Sequence, residues 1–181
     1  MLAVVSPLPP VILEVRADPK QPDRGWLTTA ERVYPCRLGR AGVSSTKREG
    51  DGATPAGRYP LRRVLFRSDR LAVETQLSTI AIGANDGWCD DPARPEYNRP
   101  VTLPFSGSAE ALWRDDHAYD VVVVLGHNDD PPIAGHGSAI FLHVAHDDGR
   151  PTAGCIALSA RDLLHLLARI TAETTIVIQP A

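Results

Sequence analysis

The sequence predicts a mostly-β domain carrying one or two short helices. Three observations point there. Sixteen prolines and fourteen glycines cut the 181 residues into short pieces, a punctuation that favours strands joined by turns over long helices. Several of those pieces are β-branched, or alternate apolar with polar residues at strand length. One stretch, near residue 159, joins helix-start chemistry to apolar residues at helical spacing.

Taken in order, "VILEVRA" (11–17) reads as a strand. "GWLTTAERVYPCRLG" (25–39) reads as a hairpin, two β-prone runs around a polar turn. "RAGVSSTKREGDGATPAG" (40–57) is a long polar loop ending in Thr54-Pro55-Ala56-Gly57, and "RYPLRRVLFR" (58–67) resumes an alternating strand. "ETQLSTIAIG" (74–83) is a further strand. "ANDGWCDDPARPEYNRP" (84–100), rich in Asp, Pro and aromatics, is expected as an irregular surface loop. A weaker helix is expected through "SGSAEALWRDD" (106–116). "YDVVVVLG" (119–126) is β-branched throughout and predicts a strand buried on both faces. "SAIFLHVA" (138–145) is another strong strand. The helix follows: Ser159 and Asp162 form a capping box, and Leu163, Leu164, Leu166, Leu167 and Ile170 make its apolar stripe. "TTIVIQ" (174–179) is the last strand. No domain boundary is visible, so residues 1–181 are expected to form one unit.

Composition narrows the function. The net charge of −3 gives no basic field for nucleic acid or anionic lipid. The short basic clusters at 46–50 and 59–67 are expected to be solvated surface charge. Three cysteines, Cys36, Cys89 and Cys155, leave at least one thiol free, and no C-x-x-C pair suggests a zinc cage. A disulfide between Cys36 and Cys89 is conceivable in an oxidising compartment. The start, "MLAVVSPLPPVILEV", shows no positive n-region of a secretory signal, and no apolar run approaches the ~20 residues of a membrane span.

The chemistry-bearing stretch is "IFLHVAHDDGRPTAGCIAL" (140–158). Alternation puts His143 on one face of its strand with Ala139, Phe141 and Ala145, whereas His146 points the other way or lies in the following loop. His143 is therefore the histidine placed to meet Cys155. Gly154, lacking a Cβ, lets a carbonyl approach the backbone beside the sulfur, and free N–H groups of the turn are expected to stabilise an oxyanion. A neighbouring imidazolium would supply the thiolate such a nucleophile needs. From the residues alone three readings stay open: a nucleophile served by His143, a buried structural cysteine, and a metal ligand. The metal reading is a zinc hydrolase using a subset of His127, His136, His143, His146 and Cys155.

"FLHVA…PTAGCIAL", with "TPAG" about a hundred residues ahead of the cysteine, resembles the catalytic domain of the L,D-transpeptidases of the YkuD/ErfK type over roughly residues 11–179. The resemblance implies a β-sandwich with few helices and a peptidoglycan L,D-transpeptidase activity. It assigns Cys155 as nucleophile, His143 as base, Gly154 as the glycine of the motif and Thr152 as its Ser/Thr position. The implied reaction takes a stem tetrapeptide through a thioester to an acceptor amine, with no metal or organic cofactor. Water as acceptor would make it an L,D-carboxypeptidase or endopeptidase. The implied partner is peptidoglycan, with no nucleic acid and no membrane insertion, and the implied location is the periplasm or cell wall. Ala153 and Ala157 stand where many members carry histidine and a polar residue, which leaves room for a wall-binding module without turnover. Further substrate-binding candidates are His127 and Asn128 at a strand end, Gly137 and Ser138 opening the histidine strand, and Trp88 and Tyr97 in the 84–100 loop.

Overall fold

A computed structural model of the chain describes residues 11–180; the apolar start at residues 1–10 lies outside the described residues. Among the described residues the fold is mostly β with one helix, the class the sequence predicts. The strands are β1 (Ile12–Asp18), β2 (Gln21–Thr28), β3 (Val33–Arg37), β4 (Val43–Ser44), β5 (Thr54–Pro55), β6 (Gly57–Phe66), β7 (Thr79–Ala81), β8 (Asp86–Cys89), β9 (Pro100–Thr102), β10 (Ala109–Ala111), β11 (Val121–Leu125), β12 (Phe141–Val144), β13 (Ile156–Leu158) and β14 (Thr175–Ile178); the helix is α1 (Ala160–Leu167). Nine strands join in the order β11-β12-β13-β3-β2-β1-β14-β6-β7, and a further pairing of β11 with β6 closes the sheet on itself. No helix among the described residues is long and apolar enough to cross a membrane.

The expected hairpin forms between β2 and β3, and β14 lies between β1 and β6. Strand β11 is buried along its whole length, as its unbroken β-branched run requires. Val121, Val123 and Leu125 enter one apolar cluster, which includes Leu163, Leu166 and Leu167 of α1; Val122 and Val124 enter a second. Each fully buried aliphatic side chain of these clusters stabilises the fold by about 1.5–3 kcal/mol. Ser159 caps α1 as expected: its Oγ accepts from Asp162 N–H at 3.1 Å and donates to the Asp162 carboxylate at 2.8 Å. Leu164, counted in the apolar stripe, instead faces solvent.

Several expectations fail, among them the strand over 138–145, which shortens to β12, and the polar loop 40–57, which carries β4 and β5. No helix forms over 106–116; β10 runs there and pairs with β8, which also pairs with β9. Tertiary pairing overrides a weak helical pattern in this stretch. The 84–100 segment is accordingly not an irregular loop throughout, since it contains β8 and the start of β9. The strand expected over 74–83 shrinks to β7. The short β13, immediately after Cys155, went unread because three residues are too few for periodicity to speak.

Candidate active site

Strands β12 and β13 run parallel, with Leu142 opposite Ile156 and His143 opposite Ala157. Cys155, the residue before β13, therefore lies beside Phe141, and it packs with Phe141 in the second apolar cluster. His143 projects from the same face one alternate position further along. Two residues of rise and one strand spacing separate their backbones by about 8 Å. Both line a cleft of about 510 Å³.

The turn bearing the sulfur is tied at Thr152, Gly154 and Cys155. Thr152 N–H donates to Leu38 O and Arg40 N–H to Thr152 O, both at 2.9 Å. Thr152 Oγ1 donates to Cys155 O at 2.7 Å and accepts from Gly154 N–H at 3.1 Å. Thr54, of the "TPAG" element, accepts from Gly39 N–H at 2.8 Å and donates to Cys155 O at 3.4 Å. Thr54 is fully buried, so the link between that element and the cysteine is a hydrogen-bonded one inside the protein. Gly154 holds φ +145°, and a Cβ there would stand 2.9 Å from Ala53 O. Only glycine fits that backbone. Its N–H, expected to be free for an oxyanion, is already engaged by Thr152.

The sulfur accepts from Phe141 N–H at 3.3 Å and its own proton is aimed at Ala139 O, 3.2 Å away. His143 Nδ1 lies 2.8 Å from Val144 O. A carbonyl can only accept, so Nδ1 carries the proton and Nε2 keeps a lone pair. The ring stands edge-on to Tyr119 at 5.2 Å between centroids. Burial pushes the Cys155 thiol up to about 12, with Glu110 adding to the rise while Phe141 N–H and Lys47 oppose it. Burial likewise holds His143 down to about 4. At neutral pH the pair is thus thiol and neutral imidazole, not the thiolate and imidazolium that the residue types suggest.

Among the other expected site residues, Thr152 and Ser138 line the cleft. Ser138 Oγ donates to Glu49 at 2.7 Å. Five others, Trp88, Tyr97, His127, Asn128 and Gly137, are not brought to the cleft lining. Trp88 is buried, donates from Nε1 to Asn98 Oδ1 at 2.9 Å and packs edge-on to Phe141. The Asn98 amide donates to His127 O and Asn128 O, and its oxygen accepts from Ala139 N–H. Asn128 spends its amide on Ile133 O and Gly137 O, and the His127 ring meets His136 O at 3.0 Å. Tyr97 donates its hydroxyl to Glu49 at 2.5 Å and accepts from Gly137 N–H at 3.0 Å. These five hold the 127–139 segment against the strand that carries His143; they are support behind the cleft. His146, expected to diverge, lies in the loop after β12 and also lines the cleft, its ring 6.3 Å from that of His143.

The side chains named in the zinc alternative do not assemble: among the described residues no group of three His, Cys, Asp or Glu stands where it could hold a metal ion. Cys36 and Cys89 are buried free thiols. Sequence reasoning missed Lys47, Glu49, Asp90, Glu110, Arg114 and Tyr119, all of which line the cleft. They come from separate segments that only the folded chain brings together, so no local spacing announces them. Tyr119 donates to Glu110 Oε1 at 2.6 Å, and Asp90 Oδ1 is the one buried side-chain oxygen among the described residues without a partner.

The sequence matches the L,D-transpeptidase catalytic domain (YkuD) family over residues 20–178. No curated protein matches it. Among solved structures, L,D-transpeptidase 1 of Mycobacterium tuberculosis is similar at 14% identity and a TM-score of 0.41, over 94% of this chain and 59% of that one. L,D-transpeptidase 3 of the same organism, solved with a faropenem-derived adduct, is similar at 14% identity and a TM-score of 0.42, over 95% of this chain and 61% of that one. The chain thus spans about three-fifths of the length of either structure.

Proposed function

Because the chain belongs to the L,D-transpeptidase catalytic-domain family, we propose that it is a cysteine acyltransferase of peptidoglycan stem peptides, with Cys155 as nucleophile and His143 as base. The observation that carries this reading is the fixed tautomer of His143. Its Nδ1–H is committed to Val144 O at 2.8 Å, which leaves the lone pair on Nε2, in a residue that lines the same cleft as Cys155. A neutral imidazole is the form that can accept a proton.

The steps follow from those two groups. Cys155 Sγ attacks the carbonyl joining an L-centre to a D-centre in a donor tetrapeptide while its proton passes to His143 Nε2. The carbon–nitrogen bond then breaks, the imidazolium returns the proton to the departing amine, and a thioester remains. The amine of a diaminopimelate on an acceptor stem attacks the thioester, gives its proton to His143, and releases the sulfur, which recovers its proton. With water in place of the amine the same steps make an L,D-carboxypeptidase. The cleft carries both signs of charge, Arg114 and Arg150 against Glu49 and Glu110, which suits a zwitterionic peptide. Such a substrate places the protein in the periplasm or cell wall.

The test is to incubate the purified protein with a disaccharide-tetrapeptide and weigh the products. A crosslinked dimer is expected, and Cys155→Ala and His143→Ala should each abolish it. Unchanged substrate, with Cys155 unreactive toward thiol reagents in folded protein, would overturn the reading.

A further inference from the structure

The basic cluster at 46–50 was expected to be solvated, yet the side chain of Lys47 is only 7% exposed. It runs between two glycines. A Cβ on Gly137, which holds φ +96°, would stand 2.9 Å from Lys47 Cε and 3.0 Å from Cγ; a Cβ on Gly154 would stand 3.3 Å from Nζ. The first glycine makes room for the stem, and the second leaves the ammonium open to the backbone beside Cys155. Among the described residues Asp51 is the one acceptor for Nζ, at 2.5 Å. Asp51 is itself fixed, accepting from Arg48 N–H at 2.7 Å and Ala53 N–H at 2.8 Å. An ammonium has three donors, so two remain beyond the Asp51 bond, in a side chain that lines the same cleft as the sulfur.

We propose that Lys47 supplies the fixed positive charge against which negative charge forms on Cys155 when His143 takes its proton. This rests on the reading of Cys155 as nucleophile. The need for such a charge is physical. Burial opposes a bare thiolate, Glu110 opposes it further, and the imidazole is uncharged until the proton has moved. The Gly154 N–H cannot help, since it is bound to Thr152. Of the charged groups facing the cleft, Glu49, Asp90 and Glu110 repel an anion, Arg114 is engaged bidentately by Asp116 at 2.8 and 2.6 Å, Arg150 donates to Asp148 at 3.2 Å, and the Arg40 guanidinium packs over Gly52. Lys47 is the cation that abuts the nucleophile's own turn.

The experiment is the rate of iodoacetamide alkylation of Cys155 at pH 8, resolved from Cys36 and Cys89 by peptide mass mapping. It is run on wild type, Lys47→Met, Lys47→Arg and Asp51→Asn, with folding checked by circular dichroism. Removing an opposite charge within about 4–6 Å raises a thiol's pKa by about one unit or more. Intrinsic nucleophilicity recovers part of the loss, so alkylation should slow about threefold to fourfold per unit. Lys47→Met should be slower and Lys47→Arg close to wild type. Asp51→Asn, which removes the competing negative charge while keeping an oxygen for Nζ, should be faster. A role in folding alone would move Lys47→Met and Asp51→Asn in the same direction or neither, and either outcome overturns the proposal. If Lys47→Met fails to fold, an Asp51→Asn rate equal to or below wild type overturns it alone. Absence of any Cys155 adduct in folded wild type would remove the nucleophile reading, and this inference with it.

Discussion

The thiol of Cys155 points its proton at the carbonyl oxygen of Ala139, 3.2 Å away, and Ala139 holds a left-handed backbone at φ 51° to present that oxygen. The resting sulfur is a donor to the backbone on one side and an acceptor from Phe141 N–H on the other. In the proposed mechanism the thiol proton turns from Ala139 O to His143 Nε2.

General-base help should therefore be visible in His143→Gln. The variant is expected to form thioester with a donor tetrapeptide on the order of 10²–10⁴ times more slowly. Single-turnover mass spectrometry measures this. A rate within threefold of wild type would remove His143 from the chemistry.

Acid should destabilise the protein through the same residue. His143 is held down to about 4 in the folded state, against about 6.5 in an unfolded chain. Between these values the unfolded state binds a proton that the folded state refuses. Stability is thus complete above pH ~6.5 and falls as the pH drops toward ~4, by on the order of 3 kcal/mol. Urea unfolding of wild type and His143→Gln across that window should show the extra loss in wild type alone. Parallel curves would contradict it.

Thr152→Ala removes a buried hydroxyl that serves both Cys155 O and Gly154 N–H. It should cost about 1–3 kcal/mol and slow alkylation of Cys155, whereas Thr152→Ser should restore both. Denaturant melts and the alkylation rate decide the matter; wild-type behaviour in the alanine variant would show the turn holds without it.

Gly154→Ala must adopt φ +145° and bring a methyl within 2.9 Å of Ala53 O. A cost of about 1–3 kcal/mol is expected, with loss of Cys155 reactivity. An alanine variant as stable and reactive as wild type would mean the turn relaxes freely.

Ser159→Ala provides the contrast. Losing the cap of α1 should cost about 1 kcal/mol, read as a fall in Tm, and leave the alkylation rate of Cys155 unchanged. A changed rate would couple the helix to the site.

What the sequence revealed and what it hid divide along physical lines. Strands β1, β2, β3, β11 and β14 were legible because their apolar patterns are long enough to declare a period, and α1 because Ser159 and Asp162 mark its start. That His143 and Cys155 line one cleft was legible from strand alternation plus a short connection. The acidic and basic lining was not, because Lys47, Glu49, Asp90, Glu110 and Arg114 meet only through the long-range pairing of distant strands and loops. The 127–128 and 88–97 residues looked like binding groups for the same reason in reverse. Polar side chains in loops suggest exposure, but here Trp88 and Tyr97 are spent on Asn98 and Glu49, and Asn98, His127 and Asn128 on backbone carbonyls.

Strand β14, the last along the chain, sits in the interior of the large sheet, filling the gap between β1 and β6. During synthesis on the ribosome both neighbours emerge long before it, each with a row of amide and carbonyl groups that has nothing to pair with. The barrel-like ring therefore cannot close until residue 178 has been translated and released from the exit tunnel. Until then the nascent chain presents two ready templates for a stray strand, which makes β14 a safeguard against misassembly.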